Sequence, residues 1–367
     1  MLKRETWKNF DFALFGAVIF LSIFGMVMVR SAIAGNTELA NSVNRQATFF
    51  GIGLVVLLGA ALVDFHYWKS VSKFLYIFTF AFLGVILVIG TTSFGAQRWL
   101  QVGLINIQPA EIAKIVVILV LANFFAASRD KPKNMRWVFL SVLLVAAIVV
   151  PILLQPNLST SIMLLVIWFS MAWISGLPVK YILIFAVIGI IGVIIAFPLL
   201  EPYQQERIIT FIRPDPNARY GNTYNVEQAL ISIGNGGLFG QGYGHGSQVQ
   251  LRFLKVRTTD FIFSAMAEEF GFVGTVGVMV VLGFVILRCF RAARLATDQY
   301  GAMIAYGFAT LIAFQTLVNI GVNLRMIPVT GQTLPFISYG GSSLLSLMLG
   351  IGLIESVLVH RKPDYLE

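Results

Sequence analysis

Only one of the 367 residues is cysteine, Cys289, and only three are histidine: His66, His245 and His360, in three separate loops. A disulfide framework is excluded, and histidines so far apart speak against a histidine-built metal centre. Charge is scarce as well. Asp, Glu, Lys and Arg make up 12% of the chain against 57% apolar residues, more apolar sequence than a water-soluble core of this size needs. No Walker phosphate loop or dinucleotide fingerprint occurs, which argues against an ATP-driven pump working alone. What the chain has instead is charge-poor apolar sequence, recurring along almost its whole length.

A helix crosses about 30 Å of hydrocarbon with roughly 20 residues. Runs near 12–29, 47–63, 74–89, 107–125, 138–154, 160–174, 181–200, 261–287, 302–320 and 344–358 approach or meet that requirement. The expected fold is an all-α integral membrane protein of about ten transmembrane helices, a single membrane domain over 1–367 with one large extracytoplasmic loop at 200–260. Basic residues lie between alternate runs, at Lys3/Arg4/Lys8, Lys69/Lys73, Arg129/Lys131/Lys133/Arg136, Lys180, Arg288/Arg291/Arg294 and Arg361/Lys362. With ten crossings all of them share one face, which the positive-inside rule makes the cytoplasm, and both termini lie there. The first 34 residues have the basic start and the Ala32-Ile33-Ala34 of a secretory leader. Their apolar run exceeds a usual signal core, and removing it would break the alternation, so the segment reads as a signal anchor.

The 200–260 stretch is the one long loop, with six Lys or Arg and a dense run of glycines. Loops of that length are uncommon unless functional or disordered, and the patterned motifs here favour function. Asn225, Gln228 three residues on, and Val226, Leu230 and Ile233 at helical spacing predict a short surface helix capped by Asn225 and ending at Gly234. Beyond it Gly236, Gly237, Gly240, Gly242, Gly244 and Gly246 form either a tight turn or a segment able to approach a ligand closely. Arg207, Arg213, Arg219, Arg252, Lys255 and Arg257 put positive charge on the outer side. Solvated surface charge and a clamp for an anionic headgroup such as pyrophosphate are the two readings.

Acidic residues at membrane depth are costly and therefore informative. Glu111 and Lys114 are three apart on one helix and share a face, as a structural ion pair or as a substrate contact. Asp260, with Glu268 and Glu269 behind it, stands where the basic loop meets the next span, at the outer boundary. A catalytic carboxylate would sit there. Its helix start lowers the pKa of such an acid, whereas partial desolvation raises it.

Three motifs carry a family resemblance: Thr259-Asp260-Phe261-Ile262-Phe263 with Ala267-Glu268-Glu269, the run from Pro328-Val329-Thr330-Gly331-Gln332-Thr333-Leu334-Pro335 through Ser338 to Ser342-Ser343, and Gln108-Pro109-Ala110-Glu111-Ile112-Ala113-Lys114. Gly95-Ala96-Gln97-Arg98-Trp99 and Ile233-Gly234-Asn235-Gly236-Gly237 add support. Over nearly its whole length the chain resembles the SEDS family (shape, elongation, division and sporulation) of ten-span peptidoglycan glycosyltransferases, which includes RodA, FtsW and SpoVE. One departure is Gln155-Pro156-Asn157-Leu158, where the family often has an aspartate, so no role that needs a negative charge is carried onto Asn157.

The resemblance implies polymerisation of lipid II at the outer face of the cytoplasmic (inner) membrane, releasing undecaprenyl pyrophosphate. Asp260 is the expected general base. Lys114, Arg98 and Arg213 are the favoured cationic contacts, with other loop cations able to substitute. Glu111, Thr330, Ser338 and Ser342 are further expected substrate contacts, although the 328–343 segment also reads as a kinked lead-in to the last helix. The implied partners are lipid II, the bilayer and a class B penicillin-binding protein, with no nucleic acid. No organic cofactor or protein-bound metal is expected, and divalent-cation assistance to the pyrophosphate stays open. Lipid II flippase, transporter and non-catalytic cell-wall scaffold are the competing classes.

Overall fold

A computed structural model describes residues 6–33, 41–89, 91–93, 96–102, 105–215 and 220–361. In chain order the helices are α1 (Phe12–Ala32), α2 (Ser42–Leu62), α3 (Phe65–Ile89), α4 (Pro109–Ala127), α5 (Met135–Leu154), α6 (Leu158–Ile174), α7 (Val179–Ala196), α8 (Pro202–Ile212), α9 (Gly221–Gly236), α10 (Ser247–Gln250), α11 (Ile262–Leu295), α12 (Gln299–Asn323) and α13 (Gly341–Val359). Eight of these, α1 to α5 and α11 to α13, are long and apolar enough to cross a membrane, and α6 and the 179–189 part of α7 are shorter apolar helices. Backbone groups have no water to bind in hydrocarbon, so the chain satisfies them within each helix.

These helices follow the apolar runs in order, but two extend well past them. α3 begins at Phe65 and α11 continues to Leu295. The residues that mark the ends of the apolar runs, Lys69 and Lys73 on α3 and Arg288, Arg291 and Arg294 on α11, therefore ride on helix. Long basic side chains tolerate this because their stems lie along apolar surface while the charge reaches outward. His66, expected in a loop, is in the first turn of α3, where its ring bridges Asp64 at 2.7 Å and Asp298 at 3.0 Å.

α4, α12 and α13 are the most enclosed spans, whereas α7 is exposed along most of its length. α13 packs along α2, and α11 lies against α12, α9 and α1. Among the described residues the one sheet beside the helices is a small antiparallel sheet of β1 (Thr91–Ser93), β2 (Ala96–Val102) and β3 (Ile105–Ile107), in the order β1-β2-β3. Two of those strands have three residues each, too few for a period of two to show in the sequence.

Much of the 200–260 segment is helical. α8 starts with Pro202 in its first turn and the Glu201 amide donating to Gln204 Oε1 at 3.1 Å. α9 starts at Gly221, after Tyr220 in extended conformation, so Asn225 lies inside the helix and does not cap it. It also runs on past Gly234 to Gly236, ending at Gly237 with φ 53°.

Candidate active site

A cavity of about 390 Å³ opens at one end of the bundle, and helix starts make up much of its wall. Gln108 precedes α4, Asn157 precedes α6, Asp260 and Phe261 precede α11, Gly340 to Ser343 open α13, and Asn222 and Asn225 belong to the first turns of α9. Each helix N-terminus carries roughly half a positive charge and unpaired amide donors. The cavity therefore favours an anion before any side chain is counted. Among the described lining residues Arg207 is the one Lys or Arg, and Glu111 and Asp260 are the two carboxylates.

The backbone around Asp260 is pinned from two sides. Asn319 and Asn323, one turn apart on α12, each donate an amide hydrogen bond to the Asp260 carbonyl, at 3.0 and 2.9 Å. Asn323 Oδ1 also accepts from the Ser264 amide at 3.1 Å and the Ser264 hydroxyl at 2.6 Å, bonding into the first turn of α11, where Phe261 supplies no side-chain cap. Asn319 further donates to the Gln332 carbonyl at 2.8 Å, tying the 328–340 segment to the same point. From that segment the Ser338 hydroxyl donates to the Thr259 carbonyl at 2.7 Å, and the Tyr339 amide to the Thr258 carbonyl at 2.8 Å.

The Asp260 side chain is partly buried on the cavity wall. Burial pushes its pKa up to about 6, against a side-chain hydrogen bond from Thr259 and the nearby Arg207 guanidinium, which both favour the anion. Arg207 is close indeed: a Cβ built on Gly331, whose φ is 74°, would lie 3.6 Å from Asp260 Oδ2 and 4.0 Å from an Arg207 terminal nitrogen. α8, which carries Arg207, is anchored by Tyr203 and Gln204, which donate to the Pro156 carbonyl at 2.7 and 3.0 Å, and the guanidinium lies over the Tyr203 ring at 5.6 Å.

The other expected contacts divide. Glu111, Thr330 and Ser342 line the cavity with Asp260. Ser159 donates to the Thr330 carbonyl at 2.5 Å, and Ser342 Oγ accepts from the Gln108 amide at 3.2 Å, joining the starts of α13 and α4. Lys114 is 1% exposed and pairs with Glu111 at 2.8 Å, and Ser346 donates to the same carboxylate at 3.0 Å. Lys114 thus meets the cavity only through Glu111. Ser338 is buried, accepting from the Leu334 amide at 2.8 Å besides donating to Thr259, so its hydroxyl serves the backbone behind Asp260. Arg213 is exposed at the end of α8, off the cavity wall. Arg98 belongs to β2 beside the lining residue Trp99, and its side chain, like Arg219, lies outside the described residues.

The glycine segment after α9 does approach something closely, namely α11. That helix is broken at Gly271, with φ 65° and ψ −167°. Its interrupted ladder is completed by the segment: Gln241 and Gly242 amides donate to the Glu268 and Glu269 carbonyls at 2.9 and 3.0 Å, and Phe272 and Val273 amides donate to the Gly237 and Leu238 carbonyls at 2.9 and 3.1 Å. A Cβ at Gly240 would lie 2.2 Å from the Glu269 carbonyl oxygen. Glu268, fully buried, accepts from the Gln248 and Val249 amides at 2.9 and 3.3 Å, and Glu269 accepts from the Ser31 hydroxyl. Both acids brace the fold behind the cavity and do not line it.

Fold and site together define a multi-pass membrane protein with an anion-favouring cavity and one carboxylate poised near neutrality. Residues 12–363 match the cell cycle protein family FtsW/RodA/SpoVE, and the chain belongs to that family. Stage V sporulation protein E of Bacillus subtilis is 33% identical over 95% of this chain and 96% of that protein. Peptidoglycan glycosyltransferase MrdB of Escherichia coli is 33% identical over 98% and 97%. Among solved structures, a chain of a peptidoglycan synthase complex that coordinates polymerization and crosslinking has a TM-score of 0.83 and 29% identity, covering 97% of this chain and 99% of its own. Thermus thermophilus rod shape determining protein RodA has a TM-score of 0.73 and 30% identity, covering 98% and 99%.

Proposed function

We propose that this protein is a peptidoglycan glycosyltransferase that polymerises lipid II at the outer face of the cytoplasmic membrane, with Asp260 as general base. The observation that carries this reading is a recessed carboxylate of pKa about 6 facing Arg207 within a wall of helix starts. The near full-length likeness to a relative named as a peptidoglycan glycosyltransferase supports the same reaction.

In that reaction the acceptor sugar's hydroxyl oxygen bonds to the donor's anomeric carbon, and the bond from that carbon to the pyrophosphate oxygen breaks. Asp260 takes the hydroxyl proton, and undecaprenyl pyrophosphate leaves as an anion, with inversion at the anomeric centre. Arg207 replaces Arg213 as the loop cation assigned to the leaving group, together with the helix N-termini. Arg98 remains a candidate second cation. Glu111, charge-balanced by Lys114, with Thr330 and Ser342, contacts the sugar or phosphate groups, while Ser338 acts by positioning Thr259 and hence Asp260.

Ten crossings with both termini in the cytoplasm accord with the one-sided basic clusters, which would put the Asp260 cavity outside. A class B penicillin-binding protein would cross-link the new strands. A flippase would concentrate its polar machinery near mid-membrane, whereas the cavity here lies among helix ends. The test is incubation of the purified protein with lipid II and its transpeptidase partner. Long glycan strands support the proposal, and translocation of lipid II across vesicles without polymer overturns it in favour of a flippase.

A further inference from the structure

A second cavity, of about 280 Å³, lies among Lys8, Asp11, Arg288, Arg291 and Arg361, with Phe12 at its edge. At about 1.5 Å per residue along α11 it stands on the order of 40 Å from Asp260, at the opposite end of the bundle. Three separate segments bring its cations together: the residues before α1, the last turns of α11 and the end of α13. Compensation of the α11 dipole accounts for Arg294, the basic residue of its last turn, which does not line the cavity. It does not account for Lys8 and Arg361 converging on the same space.

Among the described residues the charges do not cancel locally. Asp11 is committed to Arg288, accepting from Nε at 2.6 Å and pairing with a terminal nitrogen at 2.5 Å, and it also caps α1 through the Leu14 amide at 3.0 Å. Glu355 lies behind, fully buried, accepting from the Asp11 amide at 2.9 Å. Among the described residues no carboxylate pairs with Lys8, Arg291 or Arg361. Among the described residues, then, three cations without a carboxylate partner surround a space worth about nine water volumes. Beside them Phe12, 62% exposed, begins the apolar surface of the first span. Positive charge and exposed apolar surface thus meet at one place.

We propose that this cavity binds the phosphodiester headgroup of an anionic phospholipid, with the acyl chains lying along the α1 surface at Phe12. The inference depends on the membrane-spanning fold and is independent of the glycosyltransferase reading. Basic pockets between helix ends on the cytoplasmic side suit such headgroups, and each cation near the surface contributes about fivefold in affinity.

The test is native mass spectrometry of the purified full chain titrated with phosphatidylglycerol or phosphatidylcholine, with inorganic phosphate as competitor. Phosphatidylglycerol should be retained at least about tenfold more tightly and should resist millimolar phosphate. The Arg291→Gln/Arg361→Gln double variant should weaken it about 25-fold, whereas Lys180→Gln, a basic residue away from the cavity, should not change it. If the double variant does not fold, Lys8→Gln, at an exposed residue before α1, should cost about fivefold. Equal retention of the two lipids, displacement by phosphate, or undiminished binding by the variants would each overturn the proposal.

Discussion

Replacing Asp260 with asparagine separates catalysis from folding in opposite directions. The amide keeps the size of the side chain and leaves the Asp260 carbonyl bonds from Asn319 and Asn323 untouched, but it cannot accept a proton. Loss of a general base costs roughly 10²- to 10⁴-fold in rate. Stability should move the other way. The folded-state pKa of about 6 lies above the ordinary 3.8, so the folded protein favours the protonated acid. That stabilisation is fully present below about pH 4 and is lost as pH rises through about 6. At pH 7.5 the ionised carboxylate therefore costs the fold up to about 3 kcal/mol, which Asp260→Asn removes. The assays are lipid II polymerisation with the partner present and thermal unfolding in detergent at pH 7.5 and pH 4.5. The variant should be inactive and more stable than the parent at pH 7.5, with the gap narrowing to about 1 kcal/mol at pH 4.5. Parent activity should fall about tenfold between pH 7.5 and pH 5, following the ionised fraction of a group with pKa about 6. Polymerisation by the variant within about tenfold of the parent, or a parent pH profile flat from 7.5 to 5, would refute the assignment.

Arg207→Gln should lower polymerisation by about 10- to 10³-fold and shift the acid limb to higher pH, because the guanidinium holds the Asp260 pKa down. Arg213→Gln, off the cavity wall, should stay within about twofold in the same assay. Asn323→Ala removes an amide from the Asp260 carbonyl and an acceptor from Ser264, and should reduce kcat about tenfold with KM little changed. An equal effect on KM would point to a direct substrate contact instead. Gly240→Ala puts a Cβ against the Glu269 carbonyl at a φ of 83° and should destabilise the protein by about 1–3 kcal/mol, read as a lower melting temperature in detergent.

Long apolar runs made the helices legible, because a span is specified by composition over about 20 residues and depends little on its neighbours. The position of Asp260 on the cavity wall was legible because it stands where the basic loop meets an apolar span, whereas Glu268 and Glu269, singled out with it, brace the fold instead. The residues that hold it were not. Asn319 and Asn323 stand at a spacing of i and i+4 in an apolar helix, a signal in itself, but their common target is a backbone carbonyl 59 and 63 residues away. Arg207 and Arg213 are equivalent as letters, and only the start of α8, set by Glu201, Pro202 and Gln204, turns one toward the cavity and leaves the other outside. The glycine segment was misleading because close backbone approach is a property of glycine, whereas the object approached, here the broken ladder of α11, is tertiary.

In the proposed reaction the cavity also resolves an electrostatic conflict. Helix N-termini and a guanidinium suit a departing pyrophosphate, but the same positive field lowers the pKa of any nearby carboxylate and weakens it as a base. Moving Asp260 into open solvent would leave it near its ordinary 3.8, while removing Arg207 would raise the pKa at the expense of the leaving group. Partial burial raises the pKa without removing positive charge, and it requires the backbone to be held by groups that do not themselves touch the carboxylate. Asn319, Asn323 and Ser338 do this, since each bonds to a main-chain carbonyl at Asp260 or Thr259. In the proposed mechanism the pinning is thus what lets the anion site and the proposed base, of pKa about 6, coexist. Loosening it should let water reach Asp260, so Asn323→Ala should move the acid limb to lower pH while Arg207→Gln moves it higher. Limbs displaced in the same direction by the two variants would show that burial and field do not oppose one another at this carboxylate.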